Sequence, residues 1–438
     1  MLIQQIQLLK IYYNSLKMFK NIRKKIILEK DLLYLDFTAS GLAYQPIEDK
    51  IQYILKTYAN THSEVWYNAD LTTKYYQNAR KSLYKSLDLN ESFCILPIWT
   101  GATGAIKKFQ ELIGIYVSPA FKQRFEIKKE KLPLVIIWPF EHHSNEVSFR
   151  EAMCDIIVCP LNFENVIDLE KLEKIVEKNK NREIIWSFSA ASNVTGIKNP
   201  LKEISKIIKK YNWIMCVDAA ASSPYMNVDS SLFDVMFLSP HKLIWWPWSC
   251  WILVIKKEIA QFSQKPTFAG GWTVSFVSRS KQEYSNSLEN REDSWTPWIL
   301  QFIRASLAYE LRNKIWLKNI EEKEHKLKKY FYNSIKNIEW LELYCSPKHK
   351  KIGIFSFNIK WFSPYFLARE LSEKFKIQTR AGCSCAWPYW HDLLWLKDWD
   401  DVWENPGWLR IGWHYIYETE DIDYFIKSLK NILCIEKK

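Results

Sequence analysis

The chain has 438 residues, 48% hydrophobic and 25% charged, a length for roughly two to three domains and a composition that argues against intrinsic disorder. No run reaches the ~18 uninterrupted apolar residues of a membrane helix, which excludes a typical spanning protein. The formal charge of +12, from 61 basic and 49 acidic residues, comes from lysines spread along the chain in short runs; that reads as a solvated surface and speaks against nucleic-acid binding.

Residues 1–30 form a basic extension carrying Lys10, Lys17 and Lys20. It lacks the compact apolar stretch and small-residue cleavage site of a secretory signal, and Met18 is an alternative start. Residues 31–298 are expected to form a large domain and 299–438 a small one. Buried strands are expected at LPLVIIW (132–138), CDIIVCPL (154–161), REIIWSFS (182–189), IMCVDAA (214–220), VMFLS (235–239) and WILVIKK (251–257). Such continuous apolar runs suit parallel strands covered on both faces. Helical periodicity at 169–178 and 200–211 lies between them. The alternation predicts an α/β domain on a mostly parallel sheet. A long helix is predicted from Ile299 to about Lys336. Strands at 354–359 and 376–380 flank a helix at 364–375, and a last helix fits 421–433, together a smaller α+β domain. The nine cysteines do not pair evenly. Cys154, Cys159, Cys216 and Cys250 lie in or beside apolar runs, as expected of free thiols in a reducing cytoplasm.

Four segments carry chemistry, most of them at predicted strand ends, where open α/β sheets place ligands. In VDAAASSPY (217–225), Asp218 ends a buried strand, where a carboxylate is costly unless a cation meets it. It is either a helix cap or the partner of a protonated ring nitrogen. In FLSPHKLI (237–244), Lys242 is either a surface lysine or, partly desolvated, an amine able to form a Schiff base. An acid at one strand end followed by a lysine at the next is the order that enzymes using pyridoxal 5'-phosphate (PLP) employ. PIWTGATGAIKKF (97–109) leads a small-residue turn into a helix whose free N–H groups suit a phosphate. In TRAGCSCAWPYWHDLL (379–394), the spacing of Cys383, Cys385 and His391 fits no common zinc pattern. A thiol beside Arg380 is favoured as thiolate instead.

With these segments in order, the sequence resembles the class V aminotransferases, fold-type I PLP enzymes, close to the group II cysteine desulfurases and selenocysteine lyases. The resemblance runs from about Asp36 to Leu433. It rests on LDFTASG (35–41), YANTHSE (58–64), the 97–109 turn, EHHSN (141–145), SNVTG (192–196), VDAA, SPHK, GGWTV (270–274), REDSWTP (291–297), RAGCSCA (380–386) and LRIGWHY (409–415). It implies a large domain with a mostly parallel seven-stranded sheet, a smaller α+β domain and a homodimer. It also implies L-cysteine as substrate, alanine as product and a persulfide on Cys385 passed to a sulfur-acceptor protein. Lys242 matches the Schiff-base lysine and Asp218 the pyridinium partner. His142 matches the imidazole that stacks on the cofactor ring, where it is expected to shuttle protons. Thr103, Ser239 and His241 match phosphate ligands, helped by backbone N–H groups near Ala102. Thr296 matches the residue that reaches the partner subunit's phosphate. Asn193 and Arg410 match groups near the substrate, Arg410 at its carboxylate, with Arg380 beside them and His62 at the site's edge. Cys385 matches the nucleophile. Ala221 stands where the desulfurases place a Gln that touches the cofactor's phenolic oxygen, and Cys383 adds a second thiol. Other class V reactions on an amino acid (transamination, selenocysteine cleavage, epimerisation) and a catalytically silent binding protein are the competing readings.

The chain holds 22 Trp and 11 Gly. Their sum is close to the ~30 glycines of an average chain of this length. Trp245, Trp246, Trp248, Trp251, Trp272, Trp295, Trp387 and Trp390 stand where the family has glycine. An indole supplies neither a positive φ nor a close backbone approach. The pattern is that of UGA codons read as glycine in the source and written as tryptophan.

Overall fold

The computed structural model describes residues 17–61, 66–124, 131–211, 213–244, 249–260, 264–293, 296–394 and 407–435. A seven-stranded sheet forms its centre. In chain order the strands are β1 (Phe93–Ile98), β2 (Leu134–Ile137), β3 (Asp155–Val158), β4 (Ile184–Ser189), β5 (Ile214–Asp218), β6 (Val235–Leu238) and β7 (Trp251–Lys256). Their spatial order is β1-β7-β6-β5-β4-β2-β3. Neighbours from β3 across to β6 pair parallel, while β7 runs antiparallel to both β6 and β1. The apolar runs located six of these strands. Apart from the edge strand β3, which is half-exposed, their burial is nearly complete on both faces, which is why they read as continuous rather than alternating. β1 was not anticipated, although FCILPI has the same character.

Helices cover the faces. Those that matter for the site are α1 (Tyr67–Ser86), α2 (Gly101–Leu112), α3 (His143–Glu151), α4 (Leu169–Lys178) and α5 (Leu201–Lys209). In α4 and α5 the apolar positions recur every three or four residues, and Leu172, Val176, Ile204 and Ile208 are buried against the sheet. Asp168 caps α4 by accepting from the Lys171 N–H at 3.0 Å.

The stretch expected as one helix is two, α6 (Ile299–Ile315) and α7 (Leu317–Ile335). The break is Trp316, whose φ of +73° is incompatible with either helix. A second sheet follows, of β8 (Leu341–Leu343), β9 (Ile354–Ile359), β10 (Arg380–Gly382) and β11 (Trp408–Gly412), all antiparallel in the order β8-β9-β11-β10. The segment read as one strand at 376–380 is divided. Ile377–Gln378 pairs parallel with Leu33–Tyr34, and Arg380 starts β10. Helices α8 (Pro364–Phe375), α9 (Trp387–Leu394) and α10 (Thr419–Ile435) complete the chain. Part of the expected N-terminal extension belongs to the core: Phe19 and Ile22 are buried, and Arg23 holds Asp421 of α10 through two bonds of 2.6 and 2.7 Å.

The tryptophans behave unlike tryptophans. Trp272, Trp316, Trp340 and Trp361 have φ of +67°, +73°, +61° and +74°, in the left-handed region that glycine occupies without strain. All four are exposed. Elsewhere the indole N–H groups of buried Trp138, Trp186, Trp390 and Trp413 have no hydrogen-bond partner among the described residues, although a buried indole usually finds one. Among the eight positions singled out by sequence, Trp245, Trp246, Trp248 and Trp295 lie outside the described residues. Trp251, Trp387 and Trp390 have ordinary backbones, and Trp251 sits in β7 against His241, ring centroids 5.3 Å apart.

Candidate active site

The carboxyl ends of β4, β5 and β6 open onto a chamber of about 260 Å³, at the position where parallel sheets collect ligands. Ser189 closes β4, Asp218 closes β5, and Ser239, His241 and Lys242 follow β6. The N-termini of α2 and α3 supply Ala102, Thr103, His142 and Ser144. The second sheet supplies Arg380 and Arg410, and the loop before α9 supplies Ser384 and Cys385. The chamber thus lies between the two sheets. Asn193 and Ala221 also line it.

Lys242 ends a single 3-10 turn, Pro240–Lys242, held by its N–H to the Ser239 carbonyl at 3.0 Å. Gly41 packs its backbone onto this turn. A Cβ there would stand 1.7 Å from the Leu243 carbonyl oxygen, so only glycine fits. Burial pushes the Lys242 ammonium down to about 8; Asp218 opposes the shift and Arg410 adds to it. Burial also raises the Asp218 carboxyl, against which the Ala220 N–H at 2.8 Å and the charge of Lys242 act. Each group thus partly offsets the cost of burying the other.

Around this pair stands a chain of hydroxyls and imidazoles. Ser144 Oγ lies 2.6 Å from Thr103 Oγ1 and 3.0 Å from His142 Nδ1. The Ser144 N–H also donates to that nitrogen, at 3.1 Å, so His142 caps α3 with its ring. Burial first and Lys242 second push His142 down to about 3, and the same causes push His241 down to about 3. Both shifts favour the neutral ring near pH 7, which suits stacking and hydrogen bonding. Thr100 and Gly101, with φ of +62° and +82°, turn the chain so that α2 points its N-terminus into the chamber. One buried wall hydroxyl, Thr38 Oγ1, has no partner among the described residues, which suits a chamber with a polar occupant.

Asp36 organises the arginines. Its carboxylate accepts from Arg380 Nε at 2.9 and 3.2 Å and from Arg410 at 3.1 Å. Arg410 also donates to the Asn193 carbonyl at 3.1 Å. The Arg410–Asp36 pair is buried, and burial lowers the Arg410 guanidinium from its usual value. Asp36→Asn leaves that guanidinium buried without its counter-charge. It is expected to lower stability by about 3 kcal/mol or more, read as a lower urea midpoint; an unchanged midpoint refutes the role.

The loop before α9 is fastened at three backbone points. The His143 N–H donates to the Cys385 carbonyl at 2.9 Å, and the Trp387 N–H donates to His143 Nε2 at 2.9 Å. Asn193 Nδ2 donates to the Ser384 carbonyl at 2.8 Å. Ser384 and Cys385 both have φ of +57°, and the Cys385 side chain is exposed.

The chamber therefore collects Lys242, Asp218, His142, His241, Ser239, Ala102, Thr103, Asn193, Arg380, Arg410 and Cys385. It does not collect Thr296, which lies in a neighbouring cleft beside Trp99 and Thr100 and accepts from Asn60 at 3.0 Å. His62 lies outside the described residues. Cys383 packs partly buried against the core instead of lining the chamber. Among the described residues no group of three His, Cys, Asp or Glu is placed to hold a metal ion. Asp36, Ser144 and His143 stood inside quoted motifs, but sequence gave their partners no signal.

This architecture and chamber define a known family. The model for class V aminotransferases matches residues 33–425, and the chain belongs to that family. A probable cysteine desulfurase of Halalkalibacterium halodurans is 29% identical over 408 residues, covering 91% of this chain and 92% of its own. One from Pyrococcus abyssi is 27% identical over 425 residues, covering 94% and 97%. Among solved structures, a cysteine desulfurase from Thermococcus onnurineus, in its apo form, superposes with a TM-score of 0.79 at 24% identity, covering 94% of this chain and 97% of that one.

Proposed function

We propose that the chain is a PLP-dependent cysteine desulfurase that converts L-cysteine to L-alanine and holds the released sulfur as a persulfide on Cys385. The observation that carries the reading is that the Cys385 thiol, the Lys242 amine and the Arg410 guanidinium line one chamber. The relatives named above support the substrate. The residues present suit PLP: the α2 N-terminus with Thr103 and Ser239 for an anion, a neutral His142 ring for stacking, and Asp218 beside Lys242. The cofactor, when bound, supplies an electron sink for the substrate's α-carbon.

The chain's own groups do the rest. Arg410 binds the substrate carboxylate as a charge-assisted pair. Asp218, buried beside Lys242, would hold a proton on the cofactor's ring nitrogen. Lys242 has a lowered basicity that lets it accept the α-proton near neutral pH and return it. The Cys385 sulfur, as thiolate, attacks the substrate sulfur. The new S–S bond forms as the C–S bond breaks, and the bonding pair stays with the carbon skeleton, which leaves as alanine after protonation. Thr296, outside its own chamber, fits the role of reaching a partner's phosphate in a homodimer. Nine unpaired cysteines support a reducing, cytoplasmic setting. Among the described residues no helix is long and apolar enough to cross a membrane.

Cys385→Ala is the direct test. Alanine release from L-cysteine is expected to fall by at least ~100-fold, a loss typical of removing a group that acts on the reacting atoms, while PLP absorbance is retained. Undiminished alanine release refutes the desulfurase reading and leaves another amino-acid reaction in the same chamber.

A further inference from the structure

Away from the chamber, a second set of reactive side chains is buried together. Cys345 follows β8 and is 9% exposed, and Lys351, six residues on, is 4% exposed. Lys351 Nζ lies 2.9 Å from Cys345 Sγ. Tyr332 Oη, from α7, lies 3.2 Å from the same sulfur. The amine also sits over the Phe355 ring, 3.7 Å from its centroid. An apolar wall, one aromatic hydroxyl and one sulfur are an unusual setting for a lysine head, which ordinarily keeps to water or to a carboxylate. Burial pushes Lys351 down to about 8, so a neutral, nucleophilic amine is available close to physiological pH.

Cys345 has an amine in hydrogen-bond contact, already positioned as an intramolecular reactant.

We propose that Cys345 and Lys351 form an oxidative modification site at which a hydroperoxide closes a reversible bond between Sγ and Nζ. The Cys345 sulfur attacks the distal peroxide oxygen. The O–O bond breaks, giving a sulfenic acid and, from hydrogen peroxide, one water. The Lys351 nitrogen lone pair then attacks Sγ. The S–O bond breaks and the hydroxyl leaves with an amine proton as a second water. The pair loses two hydrogens, and the peroxide is the oxidant consumed. Sulfenic acids condense with backbone nitrogen in the same way; here a side-chain nitrogen is nearer to hand. A thiol reverses the bond by attacking sulfur and freeing the amine.

The site adjoins the catalytic framework. Lys351 bridges to Ile197, and the Ile352 N–H donates to the Gly196 carbonyl at 2.9 Å. Those residues end the turn that carries Asn193, so the new bond fastens residues 345–351 directly behind one wall of the chamber.

The test uses the PLP-loaded wild-type protein, treated with hydrogen peroxide until Cys385 is visibly oxidised, then alkylated, digested and read by mass spectrometry. Cys345 is expected to lose alkylation, and its peptide to appear joined to that of Lys351 with a mass about 2 Da below their sum. Dithiothreitol is expected to restore both peptides. In Lys351→Arg, which keeps the charge but lacks the nucleophilic amine, Cys345 is expected to give only sulfinic and sulfonic acids. Full alkylation of Cys345 after peroxide, or acids on Cys345 with Lys351 free in the wild type, overturns the proposal. So does a linked species about 14 Da heavier than the sum, which would carry an oxygen between the two atoms.

Discussion

Changing Trp272, Trp316, Trp340 and Trp361 to glycine in a single variant is expected to stabilise the protein by about 3 kcal/mol or more. Each backbone is left-handed, a conformation that costs an ordinary L-residue roughly 1–2 kcal/mol. The indoles are exposed by 56%, 56%, 60% and 81%, so the surface they still bury offsets part of the gain, least at Trp361. Lys318 lies over Trp316, and Lys360 over Trp340 and Trp361, but exposed contacts of this kind are worth only about 0.5–1 kcal/mol each. A higher urea midpoint at unchanged slope is the expected reading; an unchanged or lower midpoint would sink the glycine interpretation. The gene offers an independent check. UGA codons at these four positions, and at Trp245, Trp246 and Trp248 after the lysine, are expected, and UGG codons there contradict the recoding. Three of the four left-handed positions, Trp316, Trp340 and Trp361, fall outside the motifs that raised the question, so the backbone argues independently of the family pattern.

Lys242→Ala is expected to reduce turnover of L-cysteine by at least about 10³-fold if Lys242 is, as proposed, both the cofactor's covalent anchor and the proton acceptor. Borohydride reduction of the loaded wild type should fix PLP on Lys242, and the variant should retain none after denaturation. Turnover within tenfold of wild type would refute the assignment. The lowered basicity of Lys242 adds a pH signature. Only the neutral amine attacks an aldehyde. PLP uptake by the empty wild-type chain should therefore rise about tenfold per pH unit below about 8 and level off above it. A flat profile from pH 6 to 9 would place the amine elsewhere.

Much of this was legible in the sequence, for physical reasons that differ by element. The strands β2 and β4 to β7 announced themselves because each is buried on both faces and so is continuously apolar; the edge strand β3 is apolar in sequence but half-exposed. That same uniformity hides direction: nothing in WILVIK says that β7 runs against β6. The α6–α7 break was invisible because helical periodicity continues across it. It depends on one backbone torsion at Trp316, a residue type that ordinarily signals no turn. Lys242 and Asp218 were legible because each sits at a strand end, a position with a known use. Asp36 was not, since its partners Arg380 and Arg410 lie 344 and 374 residues further along the chain. His143 was similarly opaque, because its contacts to Cys385 and Trp387 form only when α9 docks beside α3.

The three backbone ties on residues 384–387 set how far sulfur can travel. His143 and Asn193 grip the main chain on either side of the thiol, so Cys385 moves by its own side-chain rotation and little else. If Cys385 carries the sulfur as proposed, it would be a fixed loading point, not an arm that swings sulfur outward. An acceptor would then have to extend a narrow tip into the chamber to collect its cargo, and selection among acceptors would be a matter of reach and girth at that tip more than of affinity over a broad surface.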